Sequence, residues 1–293
     1  MCDGSTIGSV IAAASARLGH LTDTDPRQEA ERLLGLATGL PRTQILAWPE
    51  RTLTAHAIAA FAALVARRAD DEPFAYLSGR QGFWTLELET DPTTLIPRPE
   101  TEGLVDLALR RLPVDRPLLV ADLGTGTGAI AAALASERPA WRLIATDTCR
   151  AALRVAGTNC TRLGLRNVTL VAADWLNPFG HATFDAVLTN PPYIAEQDPH
   201  LDRGGLRFEP RSALVSGHDG LMAIRRIVRD AFGRLHPSGL LAIEHGFDQG
   251  PAVRALLAAA GYRDVVTEHD LAGLERITSA LRPPTKASNH YAP

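Results

Sequence analysis

A glycine-rich segment near the middle of the chain constrains the fold more than any other feature. Residues 118–123 form an apolar run typical of a buried strand. Gly124, Gly126 and Gly128 follow it, and a helix is predicted to begin at residue 128. Glycine lacks a Cβ atom, so its backbone can turn tightly and let a ligand approach closely. The order of strand, glycine loop and helix is typical of nucleotide-binding α/β folds.

The alternation of strands and helices continues after this loop. A helix is predicted through residues 151–163. Strands are predicted at residues 118–123, 142–147, 168–172 and 184–189, and near 240–245, 265–268 and 276–280. This order predicts a doubly wound, Rossmann-like seven-stranded α/β sheet with its ligands at the carboxyl ends of the strands.

The chain before the sheet is predicted to be a separate, small helical domain at residues 1–73. One helix starts at Asp25-Pro26 and stops at Gly39, and Thr54 caps another. This domain is either a plain bundle or a docking domain for a macromolecular substrate. Residues 74–96 are predicted to form a β-hairpin linker, because residues 83–89 alternate and Asp91-Pro92 supplies a turn. The α/β domain is assigned to residues 97–281, and a disordered tail is expected at 282–293.

Charge and composition narrow the possible functions. The formal net charge of −3 gives no general electrostatic footprint for nucleic acid, so no direct nucleic-acid binding is expected. Cys2, Cys149 and Cys160 form no C-x-x-C pair and no zinc spacing, and no metal is predicted. The sequence shows no signal peptide and no stretch approaching the ~20 apolar residues of a membrane span. A cytoplasmic location without a membrane partner is expected.

Candidate cofactor-binding residues follow the first three strands. The loop contributes Gly124, Thr125, Gly126, Thr127 and Gly128. Asp147 ends the second strand, where its carboxylate can accept from ribose hydroxyls or cap the next helix. Asp174 and Trp175 follow the third strand and can contact an adenine ring, although Trp175 could be a core residue. The glycines also fit a dinucleotide fingerprint loosely, which leaves a dehydrogenase as an alternative, whereas Asp122 and Gly128 favour a methyltransferase.

The candidate catalytic residues form one turn after the fourth strand, at Asn190, Pro191, Pro192 and Tyr193. The prolines restrict the backbone and provide no competing NH donors. The Asn190 side-chain oxygen and the Pro191 carbonyl can accept both hydrogens of one NH2 group. Tyr193 can cover the flat face of an amide or a base. This pattern predicts methyl transfer from S-adenosylmethionine to an sp2 nitrogen, with alignment and electrostatics as the main catalytic effects.

The chain resembles the protein-(glutamine-N5) methyltransferases that modify the Gly-Gly-Gln glutamine of bacterial class I peptide chain release factors. The resemblance runs from about residue 5 to 280. Besides the glycine loop, Asp174-Trp175 and the turn at 190–193, the segments that carry the resemblance are residues 25–34, 76–79, 83–84, 95–102, 208–214, 219–221 and 244–246. The turn alone is shared with DNA adenine methyltransferases, whereas Leu95-Ile-Pro-Arg-Pro-Glu-Thr-Glu102 is much more specific. The segment 270–276 departs from many relatives by one polar residue, which is expected to affect only the last strand pair.

The resemblance implies a class I S-adenosylmethionine-dependent methyltransferase fold, with S-adenosylhomocysteine as the product and a role in translation termination. It places Gly124–Gly128, Asp147, Trp175 and Asn190 at the cofactor, and Asn190–Tyr193 at the substrate glutamine. It also implies that the helical domain helps to dock the release factor. Arg98 and Glu100 would line the mouth of the site. Glu209 and Asp219 receive no separate role, and His245 is expected to be structural.

Two other functions stay open at this point. An N6-adenine DNA methyltransferase would use the same turn, but it must flip a base and grip a duplex, and this chain shows neither a recognition domain nor a basic face. A catalytically silent binding protein would keep the fold without turnover. The sequence does not indicate the oligomeric state, the docking surface or a preference among release factors.

Overall fold

The computed structural model describes residues 5–22 and 24–284 of the chain. Cys2 and most of the predicted tail lie outside the described residues. The contacts divide the chain into two compact units. The first contains Met1–Gly79 and Asp202–Phe208, and the second contains Arg80–Leu201 and Glu209–Pro293. The functional division of the chain into docking domain, linker and methyltransferase domain stays a prediction.

The first unit is helical, as the sequence predicts. Its helices are α1 (Ile7–Arg17), α2 (Pro26–Thr38), α3 (Arg42–Ala47), α4 (Ala55–Ala69) and α5 (Phe74–Ser78). The predicted limits of α2 are confirmed, since the Asp25 side chain accepts from a backbone NH of the first turn and Gly39 ends the helix at a φ of 72°. Thr54 caps α4 in the same way as Asp25. Apolar residues of α1, α2 and α4, among them Ile11, Leu33 and Phe61, form its core.

The second unit contains a hairpin and a seven-stranded sheet. The hairpin strands are β1 (Arg80–Phe83) and β2 (Leu86–Glu89). The sheet strands are β3 (Leu119–Leu123), β4 (Arg142–Asp147), β5 (Val168–Ala172), β6 (Phe184–Thr189), β7 (Leu235–Glu244), β8 (Arg263–His269) and β9 (Glu275–Leu281). The helices are α6 (Glu102–Arg111), α7 (Ala129–Glu137), α8 (Arg150–Arg162), α9 (Arg211–Leu214), α10 (Met222–Arg234) and α11 (Gly250–Ala259). These bounds confirm the seven predicted strands to within two residues at every end except one, since β7 begins at Leu235 and not near residue 240.

The strand order is β5-β4-β3-β6-β7-β9-β8. The first four pairings are parallel, whereas β9 runs antiparallel between β7 and β8. The dinucleotide-binding fold has the order 3-2-1-4-5-6 without such an inserted strand. The carboxyl ends of β3, β4, β5 and β6 meet at one edge, which brings together the loops that carry the predicted site residues.

Alternate residues of the central strands face two different cores. Val120 and Leu188 pack into the cluster that includes residues of α6 and α7. Ala121 and Val187 pack into the cluster that includes residues of α10 and α11. This period of two is the expected result when a strand is buried on both faces. Helices therefore cover both sides of the sheet and leave the edge with the carboxyl ends for the site.

The predicted hairpin exists, but the predicted position of its turn is wrong. Phe83 pairs with Leu86, so the chain reverses at Trp84 and Thr85 and not at Asp91-Pro92. Trp84 has a φ of 57°, which is uncommon for a bulky residue. Its backbone NH donates to Glu102 at 2.7 Å, and its indole NH donates to Glu137 at 2.8 Å. These distant partners hold a conformation that local sequence does not indicate.

Candidate active site

The glycine loop between β3 and α7 exposes backbone at the edge of the sheet. Gly124, Gly126 and Gly128 have φ values of 70°, 55° and 84°, in the left-handed region that favours glycine. A Cβ atom at Gly124 would lie 3.2 Å from the Trp175 ring, and one at Gly128 would lie 3.2 Å from the Ala156 methyl group. The glycines are therefore needed both for the turn and for close packing.

Thr125 and Thr127, the two threonines of the loop, are buried and hold its conformation through hydrogen bonds. The Thr125 hydroxyl donates to Asp122 at 2.6 Å, and the backbone NH of Ala131 donates to the same carboxylate oxygen at 3.2 Å. Burial raises the pKa of Asp122 to about 6. The Thr127 carbonyl accepts from the Asn159 side chain at 3.0 Å. The Thr125 hydroxyl and the Thr127 carbonyl thus hold the conformation of the loop backbone, which the glycines leave accessible to a ligand.

Asn159 is a positioning residue that the sequence analysis did not identify. Its side chain is fully buried and joins the glycine loop to the hairpin. Besides Thr127, its side-chain nitrogen donates to the Glu89 carbonyl at 2.9 Å, and its oxygen accepts from the Glu89 backbone NH at 2.7 Å. An asparagine inside helix α8 carries no sequence signal for this connection.

Asp147 ends β4, as predicted, and contacts the glycine loop. One carboxylate oxygen accepts from the Gly126 backbone NH at 3.0 Å, and the other accepts from the Cys149 NH at 2.8 Å at the start of α8. The second bond forms an Asx turn before α8 and is not a helix cap, because Cys149 is the N-cap residue of α8 and this helix has no side-chain cap hydrogen bond. Each carboxylate oxygen has a further acceptor site, so the half-buried side chain can also accept from a ligand hydroxyl.

Trp175 and Asp174 follow β5 and face different partners. Trp175 has a φ of 53°, packs against the core beside α10, and lies over Gly124. It is half-buried, so one part of the ring stays open to the cavity. Asp174 pairs with Arg226 at 2.7 Å. Trp175 is therefore both a packing residue and a wall of the candidate site.

The Asn190 side chain is oriented with its oxygen unpaired. β6 ends at Thr189, whose hydroxyl donates to the Leu123 carbonyl at 2.8 Å and ties β6 to β3. The Asn190 amide nitrogen donates to the Thr101 hydroxyl at 2.9 Å. The buried Asn190 Oδ1 has no hydrogen-bond partner among the described residues. An unsatisfied buried acceptor costs about 1–3 kcal/mol, so this oxygen is prepared to receive a donor.

The rest of the turn is held from the loop after β7. The Tyr193 carbonyl accepts from the Gln249 side chain at 2.9 Å, and the Gln249 oxygen accepts from the Gly246 backbone NH at 2.9 Å. Burial raises the pKa of the Tyr193 phenol well above its ordinary value, so the side chain stays neutral. The turn is therefore fixed at both ends.

A buried carboxyl group lies beside the turn, at the end of β7. Glu244 is 1% exposed, and burial raises its pKa from 4.5 to about 7. The neighbouring Thr101 and Tyr193 hydroxyls and the charge of Arg276 act to lower this pKa, whereas the charge of Glu100 adds to the rise. Glu244 Oε2 has no hydrogen-bond partner among the described residues. No role was predicted for Glu244 from the sequence.

His245 has the structural role expected from the sequence. One ring nitrogen lies 2.9 Å from the Gly246 carbonyl oxygen, and the other lies 2.8 Å from the Thr278 hydroxyl. Burial lowers its pKa. The ring therefore joins β7 to β9 and leaves neither nitrogen for acid–base chemistry.

The buried Glu244 predicts a specific dependence of stability on pH. Because its pKa is higher in the folded state, its contribution to stability is full below about pH 4.5 and is lost as the pH rises through about 7. Between about pH 5 and about pH 8.5, the wild-type free energy of unfolding should fall by about 2–3 kcal/mol relative to Glu244→Gln. Urea unfolding at both pH values measures this difference. An equal difference at the two pH values would contradict the assignment.

Loops around the mouth of the site are ordered by ion pairs that the sequence analysis left unassigned. Glu209 is buried, accepts from the Ile96 backbone NH at 3.0 Å and pairs with Arg98. Asp219 pairs with Arg225 at 2.9 Å, and hydrogen bonds from Arg225 lower the Asp219 pKa to about 2. Both carboxylates therefore hold loop conformations, and the Arg98 side chain is fixed toward the segment that contains α9.

One cavity is lined by several of the predicted cofactor-binding residues. It has a volume of about 130 Å³. Its wall is formed by Thr93, Thr94, Leu95, Gly124, Gly126, Asp147, Thr148, Cys149, Ala152, Ala173, Trp175, Asn190, Pro192, Pro210, Ser212 and Ala213. The structure thus brings Gly124, Gly126, Asp147, Trp175 and Asn190 to one site, whereas Thr125 and Thr127 lie behind it.

Residues 5–22 and 24–284 contain neither a metal-binding cluster of side chains nor a membrane-spanning helix. No group of three or more His, Cys, Asp or Glu side chains in this part of the chain could hold a metal ion. No helix within the same ranges is both long and apolar enough to cross a membrane.

The inserted antiparallel strand, the glycine loop after β3 and the Asn-Pro-Pro-Tyr turn after β6 define an S-adenosylmethionine-dependent methyltransferase of the class I fold. The solved structure of a 16S rRNA N2 G1207 methyltransferase from Thermus thermophilus has the same fold. It superimposes with a TM-score of 0.52 at 17% sequence identity, over 69% of this chain and 49% of that protein. Residues 105–204 match the family model described as the methyltransferase small domain.

Sequence comparison specifies the family. Residues 9–79 match the model described as the PrmC N-terminal domain. The release factor glutamine methyltransferase of Salmonella typhimurium is 47% identical over 89% of this chain and 94% of its own length. The protein of that name from Pseudomonas aeruginosa is 50% identical over 86% of this chain and 91% of its own length. The chain belongs to the release factor glutamine methyltransferase family.

Proposed function

We propose that this protein transfers a methyl group from S-adenosylmethionine to the side-chain amide N5 of the Gly-Gly-Gln glutamine in class I release factors. The observation that carries the proposal is the buried Oδ1 of Asn190, which has no partner among the described residues, in a residue that lines the cavity. The names of the relatives support glutamine in a release factor as the substrate.

The turn can hold one primary amide in a defined orientation. The Asn190 Oδ1 and the Pro191 carbonyl each accept one of the two N5 hydrogens, and the prolines add no donor that would compete. Two acceptors raise the electron density on a nitrogen whose lone pair is delocalised. The neutral, half-buried Tyr193 can cover the face of the amide plane. Fixed orientation and preorganised acceptors supply the rate enhancement without a strong base.

The cavity fits the cofactor that the family uses. Gly124 and Gly126 offer bare backbone, Trp175 offers an aromatic surface, and Asp147 offers acceptor sites for ribose hydroxyls. When bound, S-adenosylmethionine supplies an electrophilic methyl group, whose carbon–sulfur bond breaks as the nitrogen lone pair forms the new carbon–nitrogen bond. Asn190 borders both this cavity and the amide position. One N5 proton then leaves, and no strong base is needed because a methylated amide cation is very acidic.

The first unit is proposed to dock the release factor, and the catalytic turn in the second unit is proposed to bind the glutamine side chain. Its match to the PrmC N-terminal domain supports this division of labour. Because the formal net charge is −3, the proposal includes no direct binding to nucleic acid. A release factor acts in the cytoplasm, which is the proposed location of this enzyme.

Asp147→Ala should chiefly weaken cofactor binding. Charge-assisted hydrogen bonds contribute about 1.5–3 kcal/mol, so the Kd for S-adenosylhomocysteine should rise by about 10- to 150-fold. Isothermal titration calorimetry measures the change. Asp106→Ala, on the exposed face of α6, is the matched control and should leave the Kd unchanged. A lower melting temperature with an unchanged Kd in Asp147→Ala would reduce Asp147 to a structural residue that orders the glycine loop and the start of α8.

Label transfer separates the proposed function from its alternatives. The purified protein is incubated with methyl-labelled S-adenosylmethionine and either an unmodified class I release factor or duplex DNA. Label on the release factor alone is the expected result. Label on DNA alone would favour an adenine methyltransferase. Cofactor binding without label on either substrate would favour a silent binding protein.

A further inference from the structure

We propose that Glu209 is a positioning residue for cofactor binding, because its carboxylate holds together two loop segments that form part of the cavity wall. Glu209 and its two partners, Ile96 and Arg98, form what we call the carboxylate clamp. The inference rests on the proposed function, which assigns the cavity to S-adenosylmethionine. Glu209 itself does not line the cavity.

Six residues of the cavity wall come from two segments that contain little regular structure. They are Thr93, Thr94 and Leu95 in the first segment and Pro210, Ser212 and Ala213 in the second. Residues 90–98, which include the first segment, form no helix or strand. The second segment contains only the four-residue helix α9. A single helical turn is not stable by itself, so each segment depends on contacts outside itself for its position.

The clamp joins the two segments at residues next to the cavity wall. Glu209 Oε2 accepts from the Ile96 backbone NH at 3.0 Å, and Oε1 accepts from the Arg98 guanidinium. Ile96 directly follows Leu95, and Glu209 directly precedes Pro210. A single side chain thus determines how far apart these two wall residues lie.

The surroundings of the clamp make the carboxylate difficult to replace. Glu209 and Ile96 are each 5% exposed. Each oxygen of the buried carboxylate has a donor, as a buried charged group requires. Without the carboxylate, the Ile96 NH would be buried and unpaired, which is unfavourable. The first segment would then have to move so that this NH could find another acceptor.

The far end of the second segment is fixed by the residue that follows the catalytic turn. The Ile194 backbone NH donates to the Leu214 carbonyl at 2.8 Å, and the Ser216 NH donates to the Ile194 carbonyl at 2.9 Å. Glu209 holds the near end of the same segment. Both ends are therefore held before a ligand binds, and such preorganisation lowers the cost of ordering the wall during binding.

Glu209→Ala should weaken cofactor binding without slowing the reaction of the bound cofactor. The Kd for S-adenosylhomocysteine should rise by about 10- to 100-fold, as expected when the wall occupies its binding position for about 1–10% of the time. At saturating S-adenosylmethionine, kcat for the release factor should stay within about threefold, because the bound cofactor restores the wall. Calorimetry and steady-state kinetics measure the two effects. A loss of stability alone would not raise KM for the cofactor while leaving kcat per folded molecule unchanged.

Asp185→Ala is the matched control, because Asp185 has the same two kinds of partner away from the cavity. One of its oxygens accepts from the Leu119 backbone NH at 2.8 Å, and the other accepts from Arg116 at 3.1 Å. None of these three residues lines the cofactor cavity. Asp185→Ala should lower the melting temperature and leave the Kd within about twofold of wild type. An equal rise of the Kd in both variants would overturn the clamp.

The calorimetric readout distinguishes the clamp from the proposed function. A wild-type protein that binds S-adenosylhomocysteine but does not methylate the release factor would overturn the proposed function. A wild type that methylates the release factor, with an unchanged Kd in folded Glu209→Ala, would overturn the clamp alone.

A second measurement uses the wild-type protein and does not depend on the folding of Glu209→Ala. Hydrogen exchange followed by NMR reports how often the Ile96 NH loses its acceptor. The clamp predicts that this NH is protected in the free protein and exchanges still more slowly with S-adenosylhomocysteine bound, since the ligand disfavours opening of the wall. Exchange at the rate of an unstructured peptide in the presence of the ligand would overturn it.

Discussion

Asn190→Ala is expected to lower kcat for release factor methylation by at least about 100-fold. The substitution removes the acceptor that fixes one N5 hydrogen, and with it the orientation of the amide. Cofactor affinity should stay within a fewfold of wild type, since Asn190 contributes only one part of a wall that Gly124, Asp147 and Trp175 also form. Single-turnover kinetics and calorimetry with S-adenosylhomocysteine measure the two effects separately.

Asn167→Ala is the matched control for loss of a partly buried amide. The Asn167 side chain donates to the carbonyl oxygens of Ala135 at 3.2 Å and Trp141 at 3.1 Å, away from the cavity wall. It should lower stability and leave kcat per folded molecule unchanged. A large loss of S-adenosylhomocysteine affinity in Asn190→Ala, with kcat retained, would contradict the assigned division of roles.

Gly220→Ala should also abolish most of the activity, although Gly220 contacts neither substrate nor cofactor. Gly220 has a φ of 75°. A Cβ atom there would lie 2.2 Å from the Tyr193 carbonyl oxygen and 2.8 Å from the Gln249 side-chain nitrogen. The catalytic turn must shift and lose its bond to Gln249. A displacement of about 1 Å at a reacting group can cost about 100-fold in rate, and kcat measures this loss.

Gly273→Ala is the control that distinguishes the effect of backbone strain from the effect of the steric overlap with Tyr193. Gly273 has a similar φ of 78°, but a Cβ atom there would meet nothing within 4 Å. Both variants should lose stability through left-handed strain of about 1–2 kcal/mol, and only Gly220→Ala should lose activity beyond that. Equal activities of the two folded variants would show that the position of the turn does not depend on Gly220.

Most of the sheet could be predicted because its strands are short apolar runs bounded by polar or glycine residues. The strand at Arg142–Asp147 and the one at Phe184–Thr189 match the prediction at both ends. The ligand-bearing ends could also be predicted, since parallel strands place their carboxyl ends at one edge. Helix α2 could be predicted because residues next to it in the sequence define both of its ends. The Asp25 side chain caps the first turn, and Gly39 ends the helix in a left-handed conformation.

The remaining features depend on partners distant in sequence. Trp84 turns the hairpin because Glu102 and Glu137 bind its two NH groups. Asn159 ties the glycine loop to the hairpin from inside a helix. Glu244 is buried beside the catalytic turn, where burial raises its pKa, and no local sequence pattern indicates this position.

The sequence also did not indicate that a short segment in the second half of the chain belongs to the helical unit. Residues Asp202–Phe208 belong by contact to the helical unit, although they lie between the catalytic turn and the rest of the methyltransferase sheet. Helices α10 and α11, which cover one face of that sheet, were not assigned from the sequence.

The most direct measurement of the central claim is mass spectrometry of the Gly-Gly-Gln peptide after reaction of purified protein, S-adenosylmethionine and an unmodified class I release factor. The account predicts one added methyl group, located on the side-chain nitrogen of the glutamine, and no addition when that glutamine is replaced by alanine. A methyl group on another residue, or an unmodified glutamine in the presence of bound cofactor, would contradict it.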